Sequence, residues 1–299
     1  MHRRILGTAQ GTRPEAFGPA DWGLLASVAV MWGSSFLLIA EGVEAFSPSV
    51  VTLVRLACGA ATLAALRQAP VQIDREDWPQ VAALGLTWMA LPMLLFPIAQ
   101  QWVASSIAGM VNGGAPIFAG TIAALMLRRR PGRRQVAGLA VGFAGVVLIT
   151  LPSALGAGGS PLGIGLLTIA TMLYGVGLNL AVPLQQRYGS LPVLRRAQLV
   201  AILVVLPFGI AGLPSSTWSW RAALAVAALG AFGTGLAFVA MAVLVGRVGA
   251  TRGSVAIYFV PAVAMLLGVV VRGEAIPPLA VAGIVLVVAG AWSSSRREP

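Results

Sequence analysis

Side chains that could do chemistry are few in this chain, and they do not form a catalytic set. His2 is the only histidine and Cys58 the only cysteine, so no internal disulfide and no thiolate metal cluster can form. Ser34 and Ser35 are expected to face the interior of a helix bundle, but no histidine or carboxylate in the same apolar stretches can activate them. The sequence therefore disfavours a protease or metal hydrolase, and it predicts no catalytic residue, metal or cofactor.

Arg55 is the one charged side chain expected deep within an apolar segment. It lies eight residues after Ser47, which corresponds to about 12 Å along a helix. An arginine at the centre of a membrane costs roughly 2.5–3.5 kcal/mol, so it needs a partner. One interpretation is structural, with bonds to backbone carbonyls, Glu41 or Glu44. The other is functional, with a bond to the carboxylate of a substrate.

Aromatic residues recur at the depth where a membrane helix passes the bilayer centre. Trp32 follows Trp22 by ten residues and Trp88 follows Trp78 by ten, so each is about 15 Å deep. Tyr174 aligns with Trp32 when the two halves of the chain are compared. These three rings, with Ser35, could line a cavity for apolar or aromatic cargo, or they could fill space between helices.

Two apolar segments contain a candidate helix break. Asn112 is followed by two glycines, Ala115 and Pro116, and the matching stretch of the second half contains Tyr258 and Pro261. Proline removes a backbone donor and frees a carbonyl, and broken helices at matching positions are typical of transport sites. An ordinary proline kink is the alternative. Asn112 and Tyr258 complete the candidate substrate-binding residues.

The elements that must position these residues are membrane-spanning helices. The chain is 58% hydrophobic and 10% charged, with a mean hydropathy of +0.89, whereas soluble domains carry about 25% charged residues. We predict an all-α membrane protein with ten spans, of which the fifth and tenth are short: residues 22–40, 47–66, 78–99, 105–127, 136–151, 162–184, 192–213, 222–245, 253–271 and 279–292.

An internal repeat organises these spans. Residues 81–85 and 226–230 have the same sequence, and Pro116 falls on Pro261 at the same offset of 145 residues. We expect a cytoplasmic tail over 1–21, a first repeat over 22–151, a second over 162–292 and a short cytoplasmic tail over 293–299. Because five spans per repeat is an odd number, the second repeat must be inverted relative to the first.

The arginines predict the orientation. All twenty basic residues are arginines. In a ten-span topology only Arg221 and Arg272 lie on one side and Arg55 lies within a span, so the remaining seventeen share the other side. The positive-inside rule makes that side cytoplasmic, together with both termini. The net charge of +11 is explained by topology and anionic lipid headgroups, and it requires no nucleic-acid partner.

The ordered motifs resemble the EamA-type branch of the drug/metabolite transporter superfamily. The first half carries residues 32–36 (Trp-Gly-Ser-Ser-Phe), Arg55, Pro116 and Gly138 with Gly145, and the second carries residues 248–251, Pro261, 273–274, Gly283 and 289–290. The resemblance spans about residues 22 to 292. Arg129 replaces the acidic residue usual after the fourth span. The resemblance implies ten helices around a central cavity and export or exchange of amino acids and related metabolites.

We therefore expect an inner-membrane exporter of amino acids or similar small metabolites that works by alternating access. With no carboxylate inside a span, neutral, zwitterionic or anionic cargo is favoured, and transport is expected to be facilitated or weakly coupled. The alternatives are a multidrug or nucleotide-sugar-type transporter and, from another class, a non-transporting assembly or lipid-handling component. The partners expected are the small-molecule substrate and the bilayer. The sequence is compatible with a monomer but does not determine the oligomeric state.

Overall fold

The computed structural model describes residues 7–13, 15–99, 102, 108, 111–128, 131–154, 160–272 and 278–295. All regular secondary structure in these residues is helical. We label the helices α1 to α10 in chain order. Their bounds are as follows: α1 Pro19–Val43, α2 Pro48–Ala65, α3 Arg75–Ala99, α4 Ala115–Leu127, α5 Arg133–Ala154, α6 Pro161–Tyr188, α7 Ser190–Ala211, α8 Trp220–Val248, α9 Phe259–Arg272 and α10 Pro278–Ser295.

Six of these helices are long and apolar enough to cross a membrane: α1, α2, α3, α6, α7 and α8. Helix α4 and residues Val281–Ser294 of α10 are shorter apolar helices. The helices at the predicted fifth and tenth spans are longer than their apolar stretches: α5 has 22 residues and α10 has 18, of which Val281–Ser294 form the shorter apolar part. Helical hydrogen bonding continues through the polar residues at the helix ends, where the apolar stretch has already stopped. The first part of the predicted fourth span, over 105–107, lies outside the described residues.

Local signals explain where the first two helices begin. Ser47 caps α2 by accepting a hydrogen bond from the backbone N–H of Val50, and Pro48 occupies the first turn. In α1 the cap is Gly18, and Asp21 lies three residues further on, where its carboxylate accepts the Gly18 N–H at 3.0 Å. Asp21 therefore stabilises the helix start from the third position rather than as the cap residue.

Two helices contain a wide π-helical turn at corresponding positions. In α3 the turn covers Gly85–Ala90, and in α8 it covers Leu229–Leu236. The repeat offset of 145 residues places Gly85 on Gly230, so the two turns coincide. A π turn shifts the hydrogen-bond register and leaves a carbonyl for another partner, which is why such turns are frequent at functional sites.

Helix packing follows a reciprocal pattern between the two halves of the chain. Helix α1 packs against α8 and α9, and α6 packs against α3 and α4. Likewise α2 contacts α8 while α7 contacts α3, and further contacts join α2 with α7, α5 with α10 and α6 with α8. The largest fully buried side chains, Trp88 and Tyr258, lie where these packed helices meet.

Glycines bring α5 and α10 into backbone contact. A Cβ atom at Gly145 would lie 2.6 Å from the carbonyl oxygen of Gly283, and one at Gly138 would lie 2.8 Å from the carbonyl oxygen of Gly290. The contact order reverses between the two helices, so they run antiparallel. Close approach through small residues is the usual way in which membrane helices gain packing energy.

Candidate functional site

A cavity with a volume of about 120 Å³ lies among α1, α2, α3, α6 and α8. Asn112, which precedes the turn before α4, also lines it, as do Ile257 before α9 and Val260 in α9. Six of the seven predicted substrate-binding residues line it: Trp32, Ser35, Arg55, Trp88, Asn112 and Tyr174. The rest of the lining is apolar: Ile39, Met93, Phe96, Pro97, Leu178, Phe238, Ile257 and Val260. Both halves of the chain therefore contribute to its wall.

Arg55 brings the one charged side chain of this lining into the cavity. Its Nε donates a hydrogen bond to the hydroxyl of Thr234, at 3.1 Å, in the π turn of α8. Within the described residues no carboxylate forms an ion pair with Arg55. Glu41, one of its predicted partners, is bound instead by Arg221, at 2.6 Å. The guanidinium is thus oriented through Nε by a neutral hydroxyl, while its positive charge has no anionic partner among these residues.

An aromatic wall, formed by Trp32, Phe238 and Trp88, lines the same cavity as Arg55. Phe238 lies between the two tryptophans, with ring-centroid distances of 5.5 Å to Trp32 and 4.9 Å to Trp88. The indole Nε1 of Trp32 donates to the carbonyl oxygen of Gly233, at 3.0 Å, within the π turn of α8. This bond satisfies the only polar atom of the indole, so the rings can present apolar surface to a bound molecule.

Close packing fixes Trp88 more firmly than Trp32. Trp88 is 1% exposed, and a Cβ atom at Gly177 of α6 would lie 2.5 Å from the Trp88 Cβ. The glycine therefore lets α6 pack closely against Trp88 where the side chain leaves the backbone. Because so little of its surface is accessible, Trp88 forms the rigid base of the aromatic wall, whereas Trp32 is only partly buried.

A second aromatic pair and an amide complete the lining. Tyr174 stacks on Phe96 with a centroid distance of 5.8 Å and an interplanar angle of 29°. Asn112 ends the helical residues that precede α4, and a turn at residues 113–114 separates it from α4. Pro116 follows in the first turn of α4. The Oδ1 atom of Asn112 is buried and has no hydrogen-bond partner among the described residues.

Ser35 and Tyr258 have local partners. The Ser35 hydroxyl donates to the carbonyl of Met31 at 2.7 Å, within its own helix. Tyr258 does not line the cavity, which corrects the prediction that it faces the centre. Its hydroxyl donates to the carbonyl of Leu139 in α5 at 2.8 Å, and its ring packs against Gly142. It ties the segment before α9 to α5, while its neighbours Ile257 and Val260 reach the cavity.

Helix geometry explains the position of Tyr258. Residues Ser254–Tyr258 form a 3₁₀ helix, and the α-helix begins only at Phe259, two residues before Pro261. A 3₁₀ helix turns by 120° per residue and an α-helix by 100°. Over five residues the difference amounts to about 100°, enough to move a side chain from the cavity face to the α5 face.

The sequence reasoning missed Phe96, Phe238, Thr234 and the Gly233 carbonyl. The two phenylalanines lie in uniformly apolar helices, where no pattern separates a cavity residue from a lipid-facing one. Thr234 and Gly233 belong to the π turn of α8, and their signal was available in part. Thr234 and Gly233 lie 145 residues after Met89 and Trp88. Gly233 is therefore the repeat equivalent of Trp88, which was a predicted substrate-binding residue, and Thr234 is next to it.

Ion pairs lie at the two ends of the helix bundle. At one end Arg221 of α8 binds Glu41 of α1, and at the other Arg247 of α8 binds Asp21 of α1, at 2.6 Å. Asp21 and Glu41 are twenty residues apart on α1, about 30 Å, which equals the hydrocarbon thickness of a bilayer.

A further pair belongs to the Asp21 end. Arg187 at the end of α6 donates to Asp77 at the start of α3, at 2.7 Å, and also binds Asp74. Tyr188 donates to the same Asp77 carboxylate at 2.6 Å. Gln186 connects this end of α6 to the end of α8 through the carbonyl of Gly246, at 2.9 Å.

An apolar helical chain with a cavity lined by aromatic rings and a few polar groups is typical of a membrane transporter, and the sequence comparison decides the family. Residues 22–151, and again residues 161–296, match the EamA-like transporter family. The chain belongs to the EamA-like transporter family. It is a transporter and not an enzyme, in agreement with the resemblance found in its motifs.

Relatives of this transporter cover nearly its whole length. An uncharacterized transporter of Archaeoglobus fulgidus is 26% identical, over 93% of this chain and 99% of the relative. A probable terminal-alkyne amino-acid exporter of Streptantibioticus cattleyicolor is 29% identical, over 93% of this chain and 94% of the relative. An uncharacterized inner membrane transporter of Escherichia coli K12 is 28% identical, over 85% and 83%.

A solved crystal structure has the same fold as this EamA-like transporter. The two superpose with a TM-score of 0.77 at 22% sequence identity, and the match covers 92% of this chain and 96% of the other. At this level of identity the likeness establishes the fold alone.

Proposed function

We propose that this protein exports amino acids or closely related metabolites across the inner membrane by alternating access. The observation that carries the proposal is the combination of Arg55, without a carboxylate partner among the described residues, with an aromatic wall in the same cavity. A cation suits the substrate carboxylate, and apolar rings suit the side chain of an amino acid. The relative named as a probable amino-acid exporter supports this assignment.

The proposed architecture has ten spans in two inverted repeats of five. Contacts across the α5–α10 pair support it, because Gly138 meets Gly290 while Gly145 meets Gly283. Each partner is the repeat equivalent of the other glycine, which is the reciprocity expected of a twofold axis. The exchange of helix partners described above, with α1 on α8 and α9 and α6 on α3 and α4, follows the same relation.

The proposed orientation places both termini on the cytoplasmic side of the inner membrane. The arginine distribution of the sequence supports it, as does the relative named as an inner membrane transporter. Residues 12 and 13 donate backbone hydrogen bonds to the carbonyls of Gly246 and Arg247. The N-terminal segment thus lies at the end of the bundle that carries Asp21 and Arg187, which becomes the cytoplasmic end.

Alternating access requires that each end of the cavity can close and open in turn. The ion pair Glu41–Arg221 joins α1 to α8 at the outer end, and Asp77–Arg187 joins α3 to α6 at the cytoplasmic end. Because α1 and α6, and α3 and α8, are equivalent helices of the two repeats, these two links are related by the proposed pseudosymmetry. Breaking one while keeping the other would open the cavity to one side only.

The cavity chemistry also limits coupling and cargo. The described lining contains no aspartate or glutamate, the group that proton-coupled exporters of cations use inside the membrane. A cationic drug would meet Arg55 without a compensating negative charge. Zwitterionic cargo moving down its own gradient fits this lining better, and transport should then depend little on a pH gradient.

Counterflow in proteoliposomes tests the proposal. Vesicles loaded with unlabelled leucine, phenylalanine, alanine or lysine should accumulate radiolabelled leucine from outside, and the apolar amino acids should be the most effective inside. Vesicles loaded with a cationic dye serve as the comparison. Counterflow driven by the dye and by no amino acid would contradict the proposal, as would a strict requirement for a pH gradient at a fixed membrane potential.

A further inference from the structure

We propose that Asn112 is the specificity-determining residue that recognises the amino group of the substrate. The inference rests on the proposed transport of amino acids and deepens it, because it assigns the second polar end of the ligand. Arg55 accounts for a carboxylate, but a carboxylate alone does not distinguish an amino acid from a simple fatty acid or a 2-oxo acid.

Asn112 lines the cavity and has a buried acceptor atom with no partner in the described part of the chain. Its Oδ1 atom is buried without a hydrogen-bond partner among the described residues, while the residue itself lines the cavity. A buried acceptor left unpaired costs about 1–3 kcal/mol, so such groups usually have a partner or a function. A donor on the substrate would satisfy it.

Local backbone structure keeps this amide at the cavity. Asn112 is the last helical residue before the turn at residues 113–114, and the N–H of Gly114 donates to the carbonyl of Val111 at 2.9 Å. Helix α4 then restarts with Pro116 in its first turn. The interruption of the helix places a neutral polar side chain, that of Asn112, at the cavity wall.

The chemistry of the lining defines the ligand class. Arg55 offers only donors, and the Oδ1 of Asn112 is an acceptor. A molecule that satisfies both needs an anionic acceptor at one end and a donor-bearing group at the other, with apolar surface for Trp32 and Phe238. An α-amino acid with a large apolar side chain meets all three conditions. An ammonium group is a strong donor to a neutral amide oxygen, since hydrogen bonds to charged groups are the stronger class.

Three related ligands separate the two polar contacts: leucine, leucinamide and 4-methylpentanoate, which lacks the amino group. Each is measured as a competitor of leucine counterflow in proteoliposomes. The wild-type protein should prefer leucine over 4-methylpentanoate by about tenfold or more, the size expected for a hydrogen bond to a charged group. Asn112→Leu should reduce this preference to near unity while leaving the preference for leucine over leucinamide unchanged.

Arg55→Gln is the reciprocal control, because it should reduce the preference for leucine over leucinamide and leave the amine preference intact. Asn112→Asp guards against misfolding of the leucine variant, since it keeps an acceptor and should retain or increase the amine preference. An Asn112→Leu protein, monodisperse in detergent, that still prefers leucine over 4-methylpentanoate by the wild-type factor would overturn the inference. So would an Asn112→Asp variant that loses the preference.

The outcome also separates this inference from the proposed function. Wild-type vesicles that exchange leucine, combined with an unchanged preference in Asn112→Leu, would remove the role of Asn112 and leave the exporter intact. Wild-type vesicles that exchange no amino acid would overturn both. Equal competition by all three ligands in the wild type would show that the cavity binds only the apolar side chain. That result would contradict the recognition of the amino group.

Discussion

Replacement of Arg55 by glutamine separates a substrate-binding arginine from one that only ties helices together. In the structure its Nε binds the Thr234 hydroxyl at 3.1 Å, and no carboxylate of the described residues pairs with it. A hydrogen bond to a charged group contributes about 1.5–3 kcal/mol. At 1.36 kcal/mol per factor of ten, Arg55→Gln should lower the preference for leucine over leucinamide by roughly 10- to 150-fold.

Thr234→Val is the matched control for this experiment. It removes the hydroxyl that orients the guanidinium and leaves the charge in place, so it should cost a net hydrogen bond of about 0.5–1.5 kcal/mol in stability. Its loss of leucine preference should be much smaller than that of Arg55→Gln. The assay is counterflow in proteoliposomes at several substrate concentrations, with melting in detergent measured in parallel. A well-folded Arg55→Gln protein with the wild-type leucine preference, or one that merely melts earlier, would refute the carboxylate contact.

Three further variants test the surrounding structure. Trp32→Ala should reduce transport of leucine and phenylalanine more than of alanine, because the lost contribution scales with apolar area at about 25 cal/mol per Å²; equal losses for all three would count against the aromatic wall. Tyr258→Phe removes the hydrogen bond from the Tyr258 hydroxyl to the Leu139 carbonyl, so the melting temperature should fall, as a net cost of about 0.5–1.5 kcal/mol implies, with substrate preference unchanged; altered preference would return Tyr258 to the site. Glu41→Gln breaks the ion pair with Arg221; in a protein whose one thiol is Ser35→Cys, it should raise labelling of that cysteine by impermeant reagents added outside, and unchanged labelling would argue that this ion pair does not close the outer end.

Counting residues along a helix selected two tryptophans that line the cavity, whereas rotation about the helix axis was only partly predictable. Counting 1.5 Å per residue placed Trp32 and Trp88 at mid-membrane, and both line the cavity. The repeat selected Tyr258 next to the candidate helix break of the second half, but its side chain packs on α5 rather than in the cavity, and it lies in the 3₁₀ segment before α9. A regular α-helix permits such counting, whereas a change of helix type is not encoded in an apolar pattern.

Tertiary partners were the least predictable part of the site. Arg55 was predicted to bind either a partner within the protein, such as a backbone carbonyl or a glutamate, or a substrate carboxylate; within the described residues its Nε binds Thr234, which lies in a π turn of α8. Glu41 was within reach by sequence position, yet Arg221 from the second half takes it. Such pairings depend on which helices of two similar repeats become neighbours, and their near-uniform hydrophobicity carries little information on that choice.

A single cysteine in the cavity tests the central claim, that this cavity is the substrate site and is reached from both sides in turn. Ser35 lines the cavity, and the native Cys58 can be replaced by serine, which leaves Ser35→Cys as the one thiol in the chain. In proteoliposomes of each orientation, a membrane-impermeant maleimide should label this thiol from either face, and leucine should slow both reactions with the concentration dependence of its transport. Labelling from one face only, or a rate unaffected by any amino acid that the vesicles exchange, would contradict the account.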